Sequence, residues 1–558
     1  MSSSEGASGP GVRPAGLVAY AVFFVFAFPQ RFGDTLVDGG LWLGPLAVAS
    51  LSLAVSGCSP GRAAARAFVA GWIVHAAILY WIFVVTVRYG GASPTVGVLA
   101  VLALALYPAA STAAVGAALG WLDRCGRSTP LAIAIAFVLG DYLRTFVATG
   151  FPWSLLGYTQ SGESLWLPLA RFGGVHLVGF GVALTGALIA GSARAMGGRP
   201  SASRGLRSGA VVWLVLCGVG SSLEWNEGGR GAPSGPSVRV AVLQGSIAQG
   251  SKWSDARFVE TLDRYATLTR VAAAEGAELV VWPETAFPGA IELEPGAAQR
   301  VAGLARELGV SLVVGAVGVA VDRRAGLITD WYDSAFVIEP DGRVAGRYDK
   351  SHLVPFGEYV PFRGLLGGFV EAIARGVSAG DVSAGPGPSA LRVFVPDRAQ
   401  GGGGAVRVGV PICYELLFPD LVRRFVADGA ALLVAITNDA WYGRTGAPHQ
   451  FLAITAMRAA ETGVPLVRAA NTGVSAIIDA RGHVQHDSGL FERGLIVADV
   501  TLPGSDASTF YTRHGDVFVY GCWATLPLLL WSGPGLVLRA RAGGTRGANG
   551  SSDRASAG

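Results

Sequence analysis

The sequence predicts a membrane protein in two parts: a multi-span α-helical membrane domain of about eight spans and an extramembranous α/β domain set before the last span. Three observations predict this class. Long apolar segments fill residues 1–223 and recur at 517–538. The interval between them is polar, and its short apolar runs alternate with helical patterns. Across the chain 51% of residues are hydrophobic and 15% charged, against about a quarter charged in a soluble globular protein.

A spanning helix needs about 20 apolar residues. Such segments are expected at 15–29, 41–58, 67–87, 94–122, 129–148, 167–193 and 208–223, which makes 1–223 a membrane domain of about seven helices. The first two are short or interrupted by Pro45. Residues 224–236, rich in Gly, Pro and Ser, read as a linker, and 504–542 carry a C-terminal transmembrane helix. The Gly/Ser/Ala tail 543–558 reads as disordered. Arginines concentrate in alternate loops: Arg62 and Arg66, Arg124 and Arg127, Arg194 to Arg207, and Arg539 to Arg546. The positive-inside rule then places both termini in the cytoplasm and the large polar domain on the outer face.

The polar domain spans 237–503. Strands are expected at Val238–Gln244, Leu279–Trp282, Ser311–Val317, Ser334–Ile338, Arg407–Ile412, Ala431–Thr437, Pro465–Ala469, Val474–Asp479 and Leu495–Val500. Helices are expected at Asp255–Ala274, Ala297–Leu308, Pro419–Asp428 and His449–Glu461. Strands alternating with helices place polar site residues at strand ends.

Composition excludes several function classes. A net charge of +4 on 558 residues suggests no nucleic-acid partner. The cysteines Cys58, Cys125, Cys217, Cys413 and Cys522 are scattered, and no Cys/His spacing suits zinc, so neither a metal nor another cofactor is expected. Val55-Ser56-Gly57-Cys58 resembles a lipidation box, but a whole apolar segment precedes it, so it reads as a chance match. There is no Gly-x-Ser-x-Gly elbow, phosphate loop or dinucleotide fingerprint.

Three constellations carry chemistry. Trp282-Pro283-Glu284-Thr285 ends a buried strand, where a carboxylate on a rigid, partly desolvated element suits a general base. An ordinary glutamate at a strand–loop junction is the plain alternative. Lys350 lies in Tyr348-Asp349-Lys350-Ser351-His352-Leu353-Val354-Pro355-Phe356-Gly357-Glu358-Tyr359, after a strand, where a fixed ammonium could stabilise an oxyanion or simply be solvated. His352 is a further acid/base or structural candidate. Cys413, in Val410-Pro411-Ile412-Cys413-Tyr414-Glu415, sits between a strand and a helix start, a place that favours thiolate; a buried inert cysteine is the alternative.

Glu, Lys and Cys in this order, each just after a strand, resemble the nitrilase superfamily, and 237–503 resembles its αββα sandwich. With the apolar segments around it, the chain is similar nearly throughout to bacterial apolipoprotein N-acyltransferases. The matching motifs are WPETAFP at 282–288, YDKSHLVPFGEYVPF at 348–362, ICYELLFPD at 412–420, TNDAWYG at 437–443 and MRAAETGVPLVRAANTG at 457–473. Phe151-Pro152-Trp153, Leu156-Gly157-Tyr158 and Arg171-Phe172-Gly173-Gly174 add matches in the membrane part. Two departures are mild: Asp141 stands where the family often has glutamate, and Arg444-Thr445-Gly446 replaces a more acidic stretch.

The resemblance implies a catalytic triad of Glu284 as general base, Lys350 as oxyanion stabiliser and Cys413 as nucleophile. It also implies supporting or substrate-binding roles for Trp253, Glu358, Tyr414 and Glu415. The implied reaction is ping-pong: a phospholipid acyl donor forms a Cys413 thioester, and a diacylated apolipoprotein acceptor takes the acyl group on its N-terminal amine. A monomer in the bacterial inner membrane is expected, with the catalytic domain periplasmic and membrane lipid around its helices. A tethered amidase, which would pass the thioester to water, is the alternative reading. Residues 351–380, with Leu365, Leu366, Phe369 and Val370, are either an apolar lid or a packing loop.

Overall fold

The computed structural model describes residues 12–162, 164–197, 203–229, 235–248, 255–322, 324, 326–359, 382–396, 403–504 and 508–530. Trp253, residues 360–380 of the expected lid and the end of the last span lie outside the described residues.

Apolar helices form along the expected stretches even across interior prolines such as Pro45 and Pro108, and prolines open three of them. Pro94–Arg124 and Pro130–Leu143 each begin with proline behind a capping hydroxyl: Ser93 accepts from the Val96 amide and Thr129 from that of Ala132. The other helices of this part are Val12–Phe26, Gly40–Ala54, Pro60–Ile78, Ala170–Met196, Ser203–Gly229 and, after the polar domain, Val517–Leu530. Apolar helices thus occupy each expected segment, but fewer are long enough to cross a membrane alone. Among the described residues these are Pro94–Arg124, Leu167–Met196 and Gly205–Trp225, with Pro60–Ile78 and Trp81–Tyr89 making a fourth if their 53° bend lies within one span.

The shorter helices have local causes. Pro14–Phe26 stops where a hairpin begins: β1 (Gln30–Phe32) pairs with β2 (Thr35–Val37). Pro130–Leu143 stops at Arg144, whose buried guanidinium donates to the Trp153 carbonyl at 2.6 Å and so holds the following segment in irregular form. The expected span at 167–193 is kinked at Gly173 and Gly174, and Gly174 takes a φ of +61° that only glycine adopts freely. The helix Ser203–Gly229 runs on into the expected linker, ending at its glycine pair.

The polar domain is built on two six-stranded sheets. The first has the order β14-β3-β4-β5-β6-β7, with β3 (Ser237–Gln244), β4 (Leu279–Trp282), β5 (Ser311–Asp322), β6 (Leu327–Ile338), β7 (Val344–Asp349) and β14 (Gly494–Thr501). The second runs β13-β12-β11-β10-β9-β8, with β8 (Leu391–Pro396), β9 (Gly403–Gly409), β10 (Leu432–Thr437), β11 (Leu466–Ala470), β12 (Ala476–Ile478) and β13 (Val484–Asp487). The centres, β3-β4-β5 and β9-β10-β11, are parallel. Of these, β4 and β10 are buried along their whole length and read as continuous apolar runs, whereas β9 is buried only at its end.

Strand period decides the layering. Val238, Val240 and Val242 share a core with Val408 and Leu433 of the other sheet. Ala241 and Leu243, pointing the other way, pack with Trp282 under the helices Asp255–Ala274 and Pro295–Leu308. The result is the expected sandwich of helices, two sheets and helices. On the second sheet, the helix Ala447–Thr462 also packs against the membrane helix Ala170–Met196, so its far side is interior as well. Glu461 accepts from the Val175 amide at 2.7 Å, just past the Gly173–Gly174 kink. Trp153 donates its indole N–H to Gln450 at 2.7 Å, and Trp81 lies 4.8 Å from Trp153 and 4.9 Å from Tyr442, ring to ring.

Candidate active site

Glu284 follows the buried Trp282 and Pro283 at the end of β4 and is 8% exposed. The neighbouring parallel strand β5 passes so close that a Cβ on Gly315 would strike the Pro283 carbonyl, so a glycine there lets the strand support the loop. Lys350 is the first residue beyond β7 and has no exposed surface. Its amide donates to the Asp333 carbonyl at 2.9 Å, and its own carbonyl accepts from Gly385 at 2.8 Å. The ammonium thereby reaches Glu358 at 2.5 Å, Asp333 at 3.6 Å and Glu284 at 3.9 Å.

Cys413 sits differently from the expected strand end. Pro411 has no N–H to donate, so β9 ends at Gly409 and only an isolated bridge joins Ile412 to Ile436. The chain then turns sharply: Cys413 has a φ of +50° and opens the short helical turn Cys413–Leu417, ahead of the helix Pro419–Ala427. Such a conformation costs about 1 kcal/mol or more in a non-glycine residue and is held here by its surroundings. Glu415 supplies much of the hold. One carboxylate oxygen accepts from the Ile412 amide at 2.8 Å; the other accepts from Tyr348 at 2.7 Å and from the Ser351 amide and hydroxyl at 2.8 and 2.9 Å. Tyr414 donates to the Gly150 carbonyl, in the N-terminal helical part, at 3.2 Å.

Electrostatics join these groups. Burial pushes the Cys413 thiol well above its ordinary range, the Glu284 carboxylate adds to this, and Lys350 opposes it. These influences run against the thiolate that the turn is expected to favour, because desolvation and an adjacent carboxylate both disfavour a charged sulfur. Burial works against the Lys350 charge, but Glu358, Glu284 and Asp333 together hold it well above the usual lysine value. Burial raises the Glu358 carboxyl, against the pull of Lys350. Among the described residues, Glu284, Asp333 and Glu358 form a set whose oxygens approach within 4.8 Å of one another, as metal ligands would. The Lys350 ammonium already lies against all three.

Glu284, Lys350, Cys413, Glu358, Tyr414 and Glu415 thus come from separate segments to one buried place. His352 instead lies against Phe418, with ring centroids 3.8 Å apart. Sequence reasoning missed Asp333, which is brought to Lys350 by the β6–β7 register pairing Ser334 with Asp349. It also missed Asp439, which acts electrostatically on Cys413 and forms a fully buried 2.7 Å pair with Arg468. Both Asp439 and Arg468 lie in motifs the sequence singled out, so charged residues inside apolar motif stretches were the available signal.

The carbon-nitrogen hydrolase family profile matches residues 239–508, and that of the apolipoprotein N-acyltransferase N-terminal domain matches 15–188. The chain is 40% identical over 493 residues to the apolipoprotein N-acyltransferase of Geobacter metallireducens, covering 86% of this chain and 88% of that one. It is 36% identical to the Brucella melitensis protein of the same name, over 72% of each chain. The Pseudomonas syringae protein of that name is 32% identical, over 82% of this chain and 85% of its own. Both profiles and the three relatives agree: this chain is an enzyme of the apolipoprotein N-acyltransferase family, with a nitrilase-superfamily domain.

Proposed function

We propose that the chain transfers an acyl group from a membrane phospholipid to the N-terminal amine of a diacylglyceryl-cysteine lipoprotein, in two steps through a Cys413 thioester. The observation that carries this reading is the buried meeting of Glu284, Lys350 and the Cys413 thiol beside a loop of the membrane domain. A protonated thiol needs a base, and Glu284 accepts its proton as sulfur attacks the ester carbonyl. Lys350 then faces the developing oxyanion. The lysophospholipid alkoxide leaves with the proton returned by Glu284. In the second step Glu284 deprotonates the acceptor amine, nitrogen attacks the thioester, and the thiol is regenerated with an amide formed.

Glu358 holds Lys350, Glu415 fixes the nucleophile turn and Tyr414 ties it to the membrane side; for Trp253 the family resemblance supports a substrate-binding role. The alternating arginine loops support about eight spans, cytoplasmic termini and a periplasmic catalytic domain 237–503 in the inner membrane. We propose a monomer, since the site is assembled from one chain.

Intact mass spectrometry after incubation with phospholipid tests the proposal. An acyl adduct on Cys413 that clears only when diacylated lipopeptide is added, giving triacylated product, is expected. An adduct that clears in water alone would reassign the enzyme as a hydrolase.

A further inference from the structure

A cavity of about 630 Å³ lies beside the segment that follows the nucleophile turn, lined by residues of both the helical part and the polar domain. One wall is Tyr142, Phe146 and Tyr520, aromatic residues of the helix ends Pro130–Leu143 and Val517–Leu530 and the turn after Leu143. Amphipathic aromatics at helix ends mark the headgroup depth of a bilayer. The opposite wall carries Arg423 and Arg424, in the helix Pro419–Ala427 whose first turn also faces the cavity. Both guanidiniums pair with the single carboxylate of Asp420, so this ion cluster keeps a net positive charge. Arg423 is further held by donation to the Thr512 carbonyl, whereas the Arg424 side chain is 58% exposed. Asp516 lines the same cavity but lies outside this salt-bridged cluster, its hydroxyl partner being Tyr511.

We infer that this cavity binds the phosphate of a membrane phospholipid, with Arg424 as the principal contact and the aromatic wall against the glycerol and first methylenes. A planar guanidinium with free N–H groups matches a phosphodiester, and the volume suits a headgroup rather than a whole lipid. The site is separate from the thiol and does not depend on acyl transfer.

Native mass spectrometry of full-length Cys413→Ala protein in detergent tests it without turnover. Dioleoylphosphatidylglycerol should bind saturably, and Arg424→Glu in that background should weaken it about tenfold or more while Arg424→Lys weakens it less. Dioleoylglycerol, lacking phosphate, should bind equally to parent and Arg424→Glu. Unchanged phospholipid affinity in Arg424→Glu would overturn the inference. So would equal displacement of the lipid by glycerol 3-phosphate, which would assign the cavity to a soluble phosphate ester. Arg424→Gln serves as a second variant, with thermal unfolding matching the parent required of each.

Discussion

The carboxylate of Glu415 accepts hydrogen bonds from both the amide and the hydroxyl of Ser351, at 2.8 and 2.9 Å. Ser351 follows β7 of one sheet, and Glu415 follows β9 of the other. The pair therefore sets the separation of Lys350 and Cys413 across the sandwich. Glu415→Gln would aim an amide N–H₂ at backbone and hydroxyl donors in a fully buried place. It should cost about 2–3 kcal/mol of stability. Thermal unfolding in detergent and acyl-transfer rate should fall together, transfer by about tenfold or more, since a 1 Å misplacement is expensive. A normal rate in a normally folded variant would remove Glu415 from the positioning role.

Removing the Lys350 charge leaves three carboxylates without their shared partner. Lys350→Met should destabilise by about 3–5 kcal/mol, the usual result of stranding one side of a buried ion pair. Any folded fraction should form the acyl-enzyme about 10²–10³ times more slowly, read by the Cys413 adduct in mass spectrometry. Lys350→Arg should not rescue, because the site is sealed around a smaller head.

Tyr414→Phe removes only the hydroxyl that reaches the Gly150 carbonyl. A loss of about 1 kcal/mol is expected, with the larger effect on acylation by bilayer phospholipid than by a soluble thioester donor. Equal slowing with both donors would argue against a link between this bond and the membrane side.

Glu461 yields a pH prediction. Burial pushes its carboxyl up to about 7, from an ordinary 4.5, against the opposing charge of Arg458. Between those values the folded protein holds a proton that the unfolded chain has released. Stability from this group is thus fully present below pH about 4.5 and declines as pH rises toward 7. Glu461→Gln should flatten that part of the unfolding-against-pH curve; an identical slope in the variant would contradict it.

Much of this was legible in the sequence because local chemistry agreed with tertiary structure. The strand Leu279–Trp282 and the helix Asp255–Ala274 form where their apolar periods place them. The strand before Lys350 was expected without bounds, whereas β8 and β13 were missed: LRVFVP and VQHD carry charged or outward residues, as edge strands with a wet face can. Asp333 was invisible because it meets Lys350 only through strand register, a long-range fact. The span lengths were overread where buried polar anchors, chiefly Arg144, end a helix inside an apolar stretch. The departure at Arg444-Thr445-Gly446 proved to lie against the N-terminal helices, where the Gly446 amide donates to the Tyr80 hydroxyl at 3.0 Å.

The helix Ala447–Thr462 is covered on both sides, by its own sheet and by the membrane helix Ala170–Met196, with Arg458 and Glu461 fully enclosed. Excising 237–503 to obtain a water-soluble catalyst would turn that interior wall into an outer surface, stripping an ion pair of its enclosure and an apolar face of its cover. Such a fragment should aggregate rather than work, and the practical unit for reconstitution, crystallography or directed evolution is the whole membrane-bound chain.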